Sequence, residues 1–344
     1  MKFLSVLLRA APHPVRCRHL ASRFTPGSRI GATLFLVVGL LLRSDARAQS
    51  LPPTVVRAKS NPIIRSDMLK AGDGQNINGP SLIRAPAWLP APLGRYYLYF
   101  ADHNGQYIRL AYADSILGPY KIYEPGTLRI DQATWCEHMV ASPDVHVDEG
   151  RRQILMYFHC GERVSGNMVS FVATSVNGLE FVPRPAPLGP SFFRVFHWQG
   201  DYYALAMPGE IYRSHDGITG FAKGPTLFGS NMRHSAVVQT DDRNLWVFYT
   251  NVGEKPPEAI LMTRVPLTED WLRWEPEPSV VVLEPQRTWE GADLPLALST
   301  RGPGTHRREP RDPALFEESG KWYLLYSVAG ESGIAIAELT NWRP

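Results

Sequence analysis

The sequence predicts an all-β fold, a five-bladed β-propeller with four antiparallel strands in each blade around a central funnel. Short runs rich in Tyr, Phe, Val, Ile and Trp lie between turn-forming residues without helical periodicity, which indicates strands and tight turns. The pattern repeats five times at a period of roughly 40 to 55 residues, which is typical of propeller blades. A closed propeller leaves no exposed sheet edges, whereas the alternative, a two-sheet sandwich, gives no reason for a fivefold repeat.

Each predicted blade has a first strand headed by Pro or polar residues, an aromatic second strand, and a third strand with small residues. A Trp or Phe lies near the end of most units, where the outer strand is expected. The five units run from GPSLIRAP to GPYKIY, from SPDVHVD to LEFVP, from PSFFRVF to FAKG, from RHSAVVQ to WLRWEP and from RDPALFEE to NW.

The N-terminal region has the pattern of a signal peptide. The apolar run Ile30–Leu42 follows several arginines and is shorter than the roughly 20 residues that span a bilayer as a helix. Ala46-Arg47-Ala48 then supplies a small-x-small cleavage pattern, so we expect a mature chain that begins near Gln49 and is periplasmic or secreted. An uncleaved N-terminal anchor is the alternative. The expected organisation is a signal peptide over 1–48, a lead-in segment over 49–75 and a single propeller domain over 76–344.

Charge separates the signal segment from the rest of the chain. Residues 1–48 hold eight of the 36 Lys and Arg residues but one of the 33 Asp and Glu residues, which leaves the mature chain with a net charge of about −4. No basic stripe remains for a nucleic acid or for an anionic membrane surface. We therefore expect neither as a partner, apart from the membrane that the signal segment would meet.

Polar side chains recur at equivalent positions of the predicted blades. Because the first two strands of a blade are antiparallel, the start of the first and the end of the second lie at the same end of the channel. The first-strand starts supply Asn78, Asp144, Arg233, His234, Arg311 and Asp312. The second-strand ends supply Asp102, His103, His159, Glu210, Asn251 and Glu331. Such a ring of acids, imidazoles and guanidinium groups suits the recognition of sugar hydroxyls and acid/base cleavage of an acetal.

Several blade openings resemble those of the five-bladed glycosidases of glycoside hydrolase family 43. The resemblance is carried by RDPALF at 311–316, WYLLYS at 322–327 and SPDV at 142–145, and it extends over about residues 76–343. It implies an inverting mechanism, with an Asp base at the head of the first blade, a pKa-tuning Asp at the head of the third and a Glu acid from the fourth.

The sequence departs from this family pattern at the expected acids. The first blade begins with Asn78 and the third with Gly189-Pro190-Ser191, so neither supplies the Asp. His234, at the head of the fourth blade, resembles the His acid of the related neoagarooligosaccharide hydrolases. Asp144 and Asp312 then become the carboxylates expected to activate water and to tune pKa.

Two further candidates lie in the connection before the fifth blade. Such connections commonly overhang the channel, so Glu290 is a second candidate for the proton donor. Trp289 beside it is expected to be a sugar-stacking platform, although most Trp residues in such a fold pack between blades.

Three functions remain open from the sequence. The first is an exo-acting, inverting glycoside hydrolase on a plant or algal oligosaccharide or polysaccharide, with His234 or Glu290 as acid and Asp144 or Asp312 as base. The second is a non-catalytic carbohydrate-binding propeller, which Asn78 favours. The third is a lyase or phosphorylase acting on an anionic sugar or using phosphate, supported by Arg109, Arg213, Arg233 and Arg311.

Neither a required cofactor nor a zinc site is expected. Glycosidase chemistry requires no cofactor, and no histidines have the tight spacing of a zinc site, although a structural calcium ion or a water at the channel centre is compatible with the funnel.

Cys136 precedes the first strand of the second blade and Cys160 follows its second strand, so both are expected at the funnel end of one antiparallel pair. A disulfide between them, or two free thiols, would satisfy this placement.

Overall fold

The computed structural model describes residues 51–70, 72–342 and 344, so the expected signal peptide lies outside the described residues. The N-terminal segment contains two short strands and two 3-10 helices. These are β1 (Thr54–Arg57), β2 (Ile64–Arg65) and the 3-10 helices Ser66–Met68 and Asp73–Gln75. No helix of the described residues is long and apolar enough to cross a bilayer.

The described chain is a five-bladed propeller of antiparallel strands, which confirms the predicted fold class. Blade one consists of β3 (Asn78–Arg84), β4 (Tyr96–Ala101), β5 (Arg109–Ala113) and β6 (Lys121–Tyr123). Blade two consists of β7 (Cys136–Asp148), β8 (Gln153–Glu162), β9 (Met168–Ser175), β10 (Val182–Pro183) and β11 (Gly189–Pro190). Blade three consists of β12 (Arg194–Trp198), β13 (Asp201–Ala206), β14 (Glu210–Ser214) and β15 (Ala222–Thr226).

Blade four consists of β16 (Met232–Asp241), β17 (Asn244–Asn251), β18 (Ile260–Pro266) and β19 (Val280–Leu283). Blade five consists of β20 (Arg311–Glu318), β21 (Lys321–Ser327) and β22 (Gly333–Thr340), together with β1 and β2. The connections hold the 3-10 helices Ile130–Gln132, Trp271–Arg273 and Thr288–Glu290.

The N-terminal segment completes the fifth blade. β1 pairs antiparallel with β22 in a register that places Thr54 opposite Thr340, and β2 pairs with β22 through Ile64 and Ile334. Ile63 and Ile64 are buried in the apolar cluster between blades five and one. The segment expected to lead into the propeller therefore contributes strands to its last blade.

Apolar layers between successive blades form the core. One buried cluster lies between each neighbouring pair, so five clusters follow the five blade interfaces of the described chain. Leu98 of blade one and Leu325 of blade five, for example, belong to one cluster and are fully buried. The aromatic second strands predicted from the sequence contribute side chains to these layers, for example Tyr97 and Tyr99 of β4.

A left-handed backbone turn lies within or just before the first strand of every blade. The five residues in this conformation are Gly79, Ser142, Phe192, His234 and Asp312, with φ between 45° and 64°. We call these five residues the inner ring. In four blades the turn coincides with a register shift between the first two strands. A Cβ on Gly79 would lie 3.2 Å from Ser142 Cα, so the approach of blades one and two favours glycine there.

Cys136 and Cys160 form a disulfide in blade two, with a Cα–Cα distance of 5.6 Å. Both residues are buried, and they join the first strand of the blade to the second. The bond therefore ties the two strands together at the end of the blade that carries the inner ring.

Replacing Ile64 by Ala tests whether the N-terminal segment is part of the folded domain. Ile64 is fully buried, so we expect a loss of about 2–5 kcal/mol in the free energy of unfolding, measured by urea denaturation. Leu51→Ala, at a position 84% exposed, is the control and should change this free energy by less than about 0.5 kcal/mol. Equal stability of the Ile64→Ala variant and the parent would show that the segment is not integral to the domain.

Candidate functional site

A cavity of about 210 Å³ lies on the propeller axis, since residues from all five blades line it. The starts of first strands and the ends of second strands meet there, as the antiparallel blade pattern requires. Seven of the site residues expected from the sequence line this cavity, namely Asn78, His103, His159, Arg233, His234, Asp312 and Glu331.

Asp312 is the inner-ring residue of blade five and is almost fully buried. Ser327 Oγ donates a hydrogen bond of 3.1 Å to its Oδ2, and His234 Nδ1 lies 3.6 Å from its Oδ1. Burial, reinforced by the negative charge of Glu331, raises the pKa of the Asp312 carboxyl to about 6. Asp312 can therefore hold or release a proton in mildly acidic solution.

Glu331 is a second buried carboxyl group in the same cavity. Arg311 Nη1 donates a hydrogen bond of 2.6 Å to its Oε1, Asn76 donates to its Oε2, and His103 Nδ1 lies 3.7 Å from its Oε1. Burial alone would raise its pKa, but His103, Arg311 and Asn76 together lower the pKa of Glu331 to about 2. Glu331 is therefore ionised where Asp312 can still be protonated.

Two buried histidines flank the phenyl ring of Phe192. The ring centroid of Phe192 lies 4.6 Å from that of His159 and 5.0 Å from that of His234. Burial, together with the charge of Arg194, lowers the pKa of His159 to about 3, and burial next to Arg233 lowers the pKa of His234 well below its usual value. Both imidazoles are neutral near pH 7, so His234 has no imidazolium proton to donate there.

Arg233, which lines the cavity, and Arg311, which lies behind it, are paired with buried carboxylates. Arg233 forms two hydrogen bonds to Glu258, of 3.1 and 2.6 Å, and lies 3.7 Å from Glu309. Arg311 bonds both Glu309, at 2.7 Å, and Glu331. Because these guanidinium groups are already neutralised, the arginine set that supported a lyase or phosphorylase offers little free positive charge.

The structure does not bring Asp144 into the cavity. Asp144 lies two residues beyond the inner-ring Ser142, and the register shift of the blade turns it toward blade three. Its Oδ2 accepts hydrogen bonds from Val195 N and from His146 Nε2, both at 2.8 Å. Burial would raise the pKa of Asp144, but the charge and hydrogen bond of His146 outweigh it and lower that pKa. Asp144 thus links two blades.

Glu290 and Trp289, in the connection before blade five, do not line the cavity, although Arg301 and Gly302 of the same connection do. Glu290 is buried, and its carboxylate accepts hydrogen bonds from Arg57 Nε and Tyr326 Oη at 2.7 Å, and from the backbone N–H of Gln286 and Arg287 at 2.8 and 3.0 Å. Trp289 packs against the apolar cluster of blades four and five. Both residues hold the connection against blade five, where it joins the N-terminal segment.

The remaining expected residues lie behind or away from the cavity. Asp102 and Arg109 form an ion pair of 2.8 Å. Arg109 Nη1 also donates a hydrogen bond of 2.7 Å to Asn76 O, and this bond holds Asn76 in place beside Glu331. Arg213, on the third strand of blade three, forms an ion pair with Asp201 on the second strand. Glu210 and Asn251 do not line the cavity.

Several residues of the site were not predicted from the sequence. Phe192 could have been found, because Ser191-Phe192-Phe193 aligns with the other blade openings when the repeats are compared turn by turn. Asn76, Glu258 and Glu309 lie in connections outside the repeat, so periodicity does not reveal them. The lining residues Met139, Met168, Met207 and Arg301 were not predicted either; the first two lie in strands and the last two in connections.

No group of three or more His, Cys, Asp or Glu side chains within the described ranges is arranged to hold a metal ion. The calcium ion with which the funnel was held to be compatible has no cluster of these side chains in that part of the chain.

The structure is a five-bladed propeller with an axial cavity, and its fold is similar to that of solved family-43 glycoside hydrolases. A thermostable family-43 glycoside hydrolase aligns with a TM-score of 0.53 at 15% identity, covering 76% of this chain and 88% of that one. A glycosyl hydrolase from Bacteroides ovatus aligns with a TM-score of 0.59 at 13% identity, covering 86% and 95%. The family-43 β-xylosidase/α-arabinofuranosidase CoXyl43, from a compost microbial metagenome, gives 0.54 at 14%, covering 77% and 91%. At these identities the likeness shows the fold, which confirms the resemblance at that level.

The sequence comparison places the chain in a family. It belongs to the same family as "Uncharacterized protein R118" of Acanthamoeba polyphaga mimivirus, to which it is 32% identical over 345 aligned positions, covering 89% of this chain and 96% of the relative. No family model matches the chain.

Replacing Asp312 by Asn tests the electrostatic cost of the site. The pKa of Asp312 in the folded protein, about 6, lies above the 3.8 of the free group, so its contribution to stability is full below pH 4 and is lost as the pH rises through 6. We expect Asp312→Asn to raise the free energy of unfolding at pH 7 by up to about 3 kcal/mol. Urea denaturation at pH 4 and pH 7 measures this. A variant that is less stable than the parent at pH 7 contradicts the assigned cost.

Proposed function

We propose that this protein is an exo-acting, inverting glycoside hydrolase that acts on an oligosaccharide of plant or algal origin. The observation that carries the proposal is the axial cavity, in which the buried Asp312 carboxyl and the His103–Glu331 pair line the same space. A cavity of this volume suits one terminal sugar residue, which favours exo action. The family-43-type fold, shared with glycoside hydrolases, supports the same reaction class.

Asp312 is the proton donor in this mechanism. The proton of its neutral carboxyl passes to the glycosidic oxygen as the bond between that oxygen and the anomeric carbon breaks. The raised pKa of Asp312 and the lowered pKa of Glu331 support this role, because environments that separate two carboxyl pKa values separate acid from anion. The neutral imidazole of His234 beside Asp312 offers a hydrogen bond rather than a second acid.

His103 is the base in this mechanism, and Glu331 is its positioning residue. A water molecule attacks the anomeric carbon from the opposite face and gives its proton to His103, while the carboxylate of Glu331 orients the imidazole and stabilises its positive charge. Both oxygens of Glu331 already accept hydrogen bonds, from Arg311 and Asn76, so an electrostatic role suits this carboxylate better than direct contact with water. The water's oxygen becomes the new anomeric hydroxyl, and the stereochemistry inverts.

A carbohydrate-binding propeller without turnover is the second candidate. It is favoured by blade one, where Asn78-Gly79 stands at the position for which the family resemblance implies an Asp base, and where Gly79 closely approaches Ser142. A lyase or phosphorylase has less support, because Arg233 and Arg311 are occupied by carboxylates.

We also propose that the protein is exported. The apolar run and the small-x-small pattern of residues 1–48 support cleavage near Gln49, and the Cys136–Cys160 disulfide suits an oxidising compartment. N-terminal sequencing of the exported protein tests this, and a mature chain that still begins at Met1 would overturn it.

Asp312→Asn should abolish most of the hydrolysis of a panel of aryl glycosides and oligosaccharides. Loss of a general acid lowers kcat by about 10²- to 10⁴-fold, and kcat/KM of the parent should fall as the pH rises above about 6, where Asp312 loses its proton. Release of p-nitrophenol and of reducing sugar measures both effects.

Asp114→Asn is the matched control, because Asp114 is an exposed carboxylate outside the cavity, and it should leave kcat unchanged. Asp144→Asn removes a buried carboxylate away from the cavity, so it should lower Tm while leaving kcat at 20 °C below that Tm within about twofold. Binding of oligosaccharides by the parent without any turnover would replace the hydrolase with the carbohydrate-binding candidate.

A further inference from the structure

The lining of the axial cavity is divided by chemistry into two halves. Blades one, four and five supply the charged and amide side chains, among them His103, His234, Asp312 and Glu331. Blades two and three supply an apolar surface formed by Met139, Met168, Phe192 and Met207, which we call the methionine wall.

The methionine wall is assembled from separate elements of two blades. Met139 lies in β7 and Met168 begins β9, whereas Met207 directly follows β13 and Phe192 is the inner-ring residue of blade three. All four are partly exposed and line the cavity, and Met139 also packs against the apolar cluster of blades one and two. The methionine wall therefore forms where four separate segments of the chain meet at the cavity, and no single loop supplies it.

The polar groups on this side of the cavity offer little to a ligand. The imidazole of His159 is 3% exposed and is covered by the ring of Phe192, and Ser142 and Ser191 are buried to a similar degree. A ligand hydroxyl placed against this half would therefore lose its water without gaining a strong hydrogen bond, which is costly. A methyl group in the same place would gain from burial against thioether and phenyl groups.

We propose that the cavity binds a 6-deoxyhexose, with its hydroxyls toward the polar half and its C5 methyl group against the methionine wall. The inference rests on the proposed function for the ligand class, a terminal sugar of an oligosaccharide, and adds which kind of sugar that is. It makes Met168 and Met207 specificity-determining residues, because they separate a methyl from a hydroxymethyl group at the same carbon.

The test compares free sugars that differ only at C6, bound to the full mature protein and followed by calorimetry. The pairs are L-fucose with L-galactose, L-rhamnose with L-mannose, and D-quinovose with D-glucose. In at least one pair the 6-deoxy sugar should bind about tenfold more tightly, the order expected for one apolar group in a complementary pocket. Equal binding in every pair, tighter binding of the hydroxymethyl sugars, or binding of none overturns the proposal.

Variants of the methionine wall locate the preference. Met168→Gln and Met207→Gln keep the length of the side chain but supply a polar amide, so each should reduce the preference for the 6-deoxy sugar toward unity. Met68→Gln is the matched control, because Met68 is a partly buried methionine outside the cavity, and it should retain the full preference. A preference that survives both wall variants also overturns the proposal.

The outcome is separable from that of the proposed function. Selective binding of a 6-deoxy sugar by a protein that hydrolyses none of its glycosides would reject the hydrolase and keep this inference. Hydrolysis of aryl glycosides without any preference at C6 would keep the hydrolase and reject this inference.

Discussion

One buried guanidinium group at the propeller axis holds the blades in the arrangement on which the site depends. Arg194, in the first strand of blade three, donates hydrogen bonds to the carbonyl oxygens of Ser142 and Pro143 in blade two, both at 3.2 Å, and of Ser235 in blade four, at 2.8 Å. All three carbonyls lie at or beside the left-handed turns of Ser142 and His234. Because such turns are unfavourable for residues with a side chain, the fixed charge offsets a conformational cost in blades two and four.

Asp312 and Glu331 line the same cavity, yet their pKa values differ because different groups contact the two carboxyls. Glu331 has the guanidinium of Arg311 and the amide of Asn76 on its oxygens, whereas Asp312 has a serine hydroxyl and a neutral imidazole nearby. The charges of Arg311 and Arg194 also favour the ionised form of Asp312, but burial and the charge of Glu331 dominate. The burial of each carboxyl and the groups that contact it therefore decide which of the two carries a proton.

The repeat in the sequence was sufficient for the architecture and for about half of the site. His103, His234, Asp312 and Glu331 sit at repeat positions, so the blade pattern brings them together. Asp144 sits near such a position too, but a register shift of one residue between Ala141 and Asp144 accompanies its turn away from the cavity, and residue types alone do not reveal that shift. Partners supplied by connections, such as Glu258 and Glu309, follow no period and depend on tertiary packing.

The pairing of β1 with β22 has a consequence for how the chain folds. Thr54 and Thr340 are partners across 286 residues of sequence, so the ring of blades cannot close before the last strand has been synthesised. Until then blade five lacks its outer strand, and the edge of the sheet is free to pair with another chain. Contacts between distant parts of a chain form slowly, so ring closure is expected to be a late step that competes with aggregation in crowded conditions.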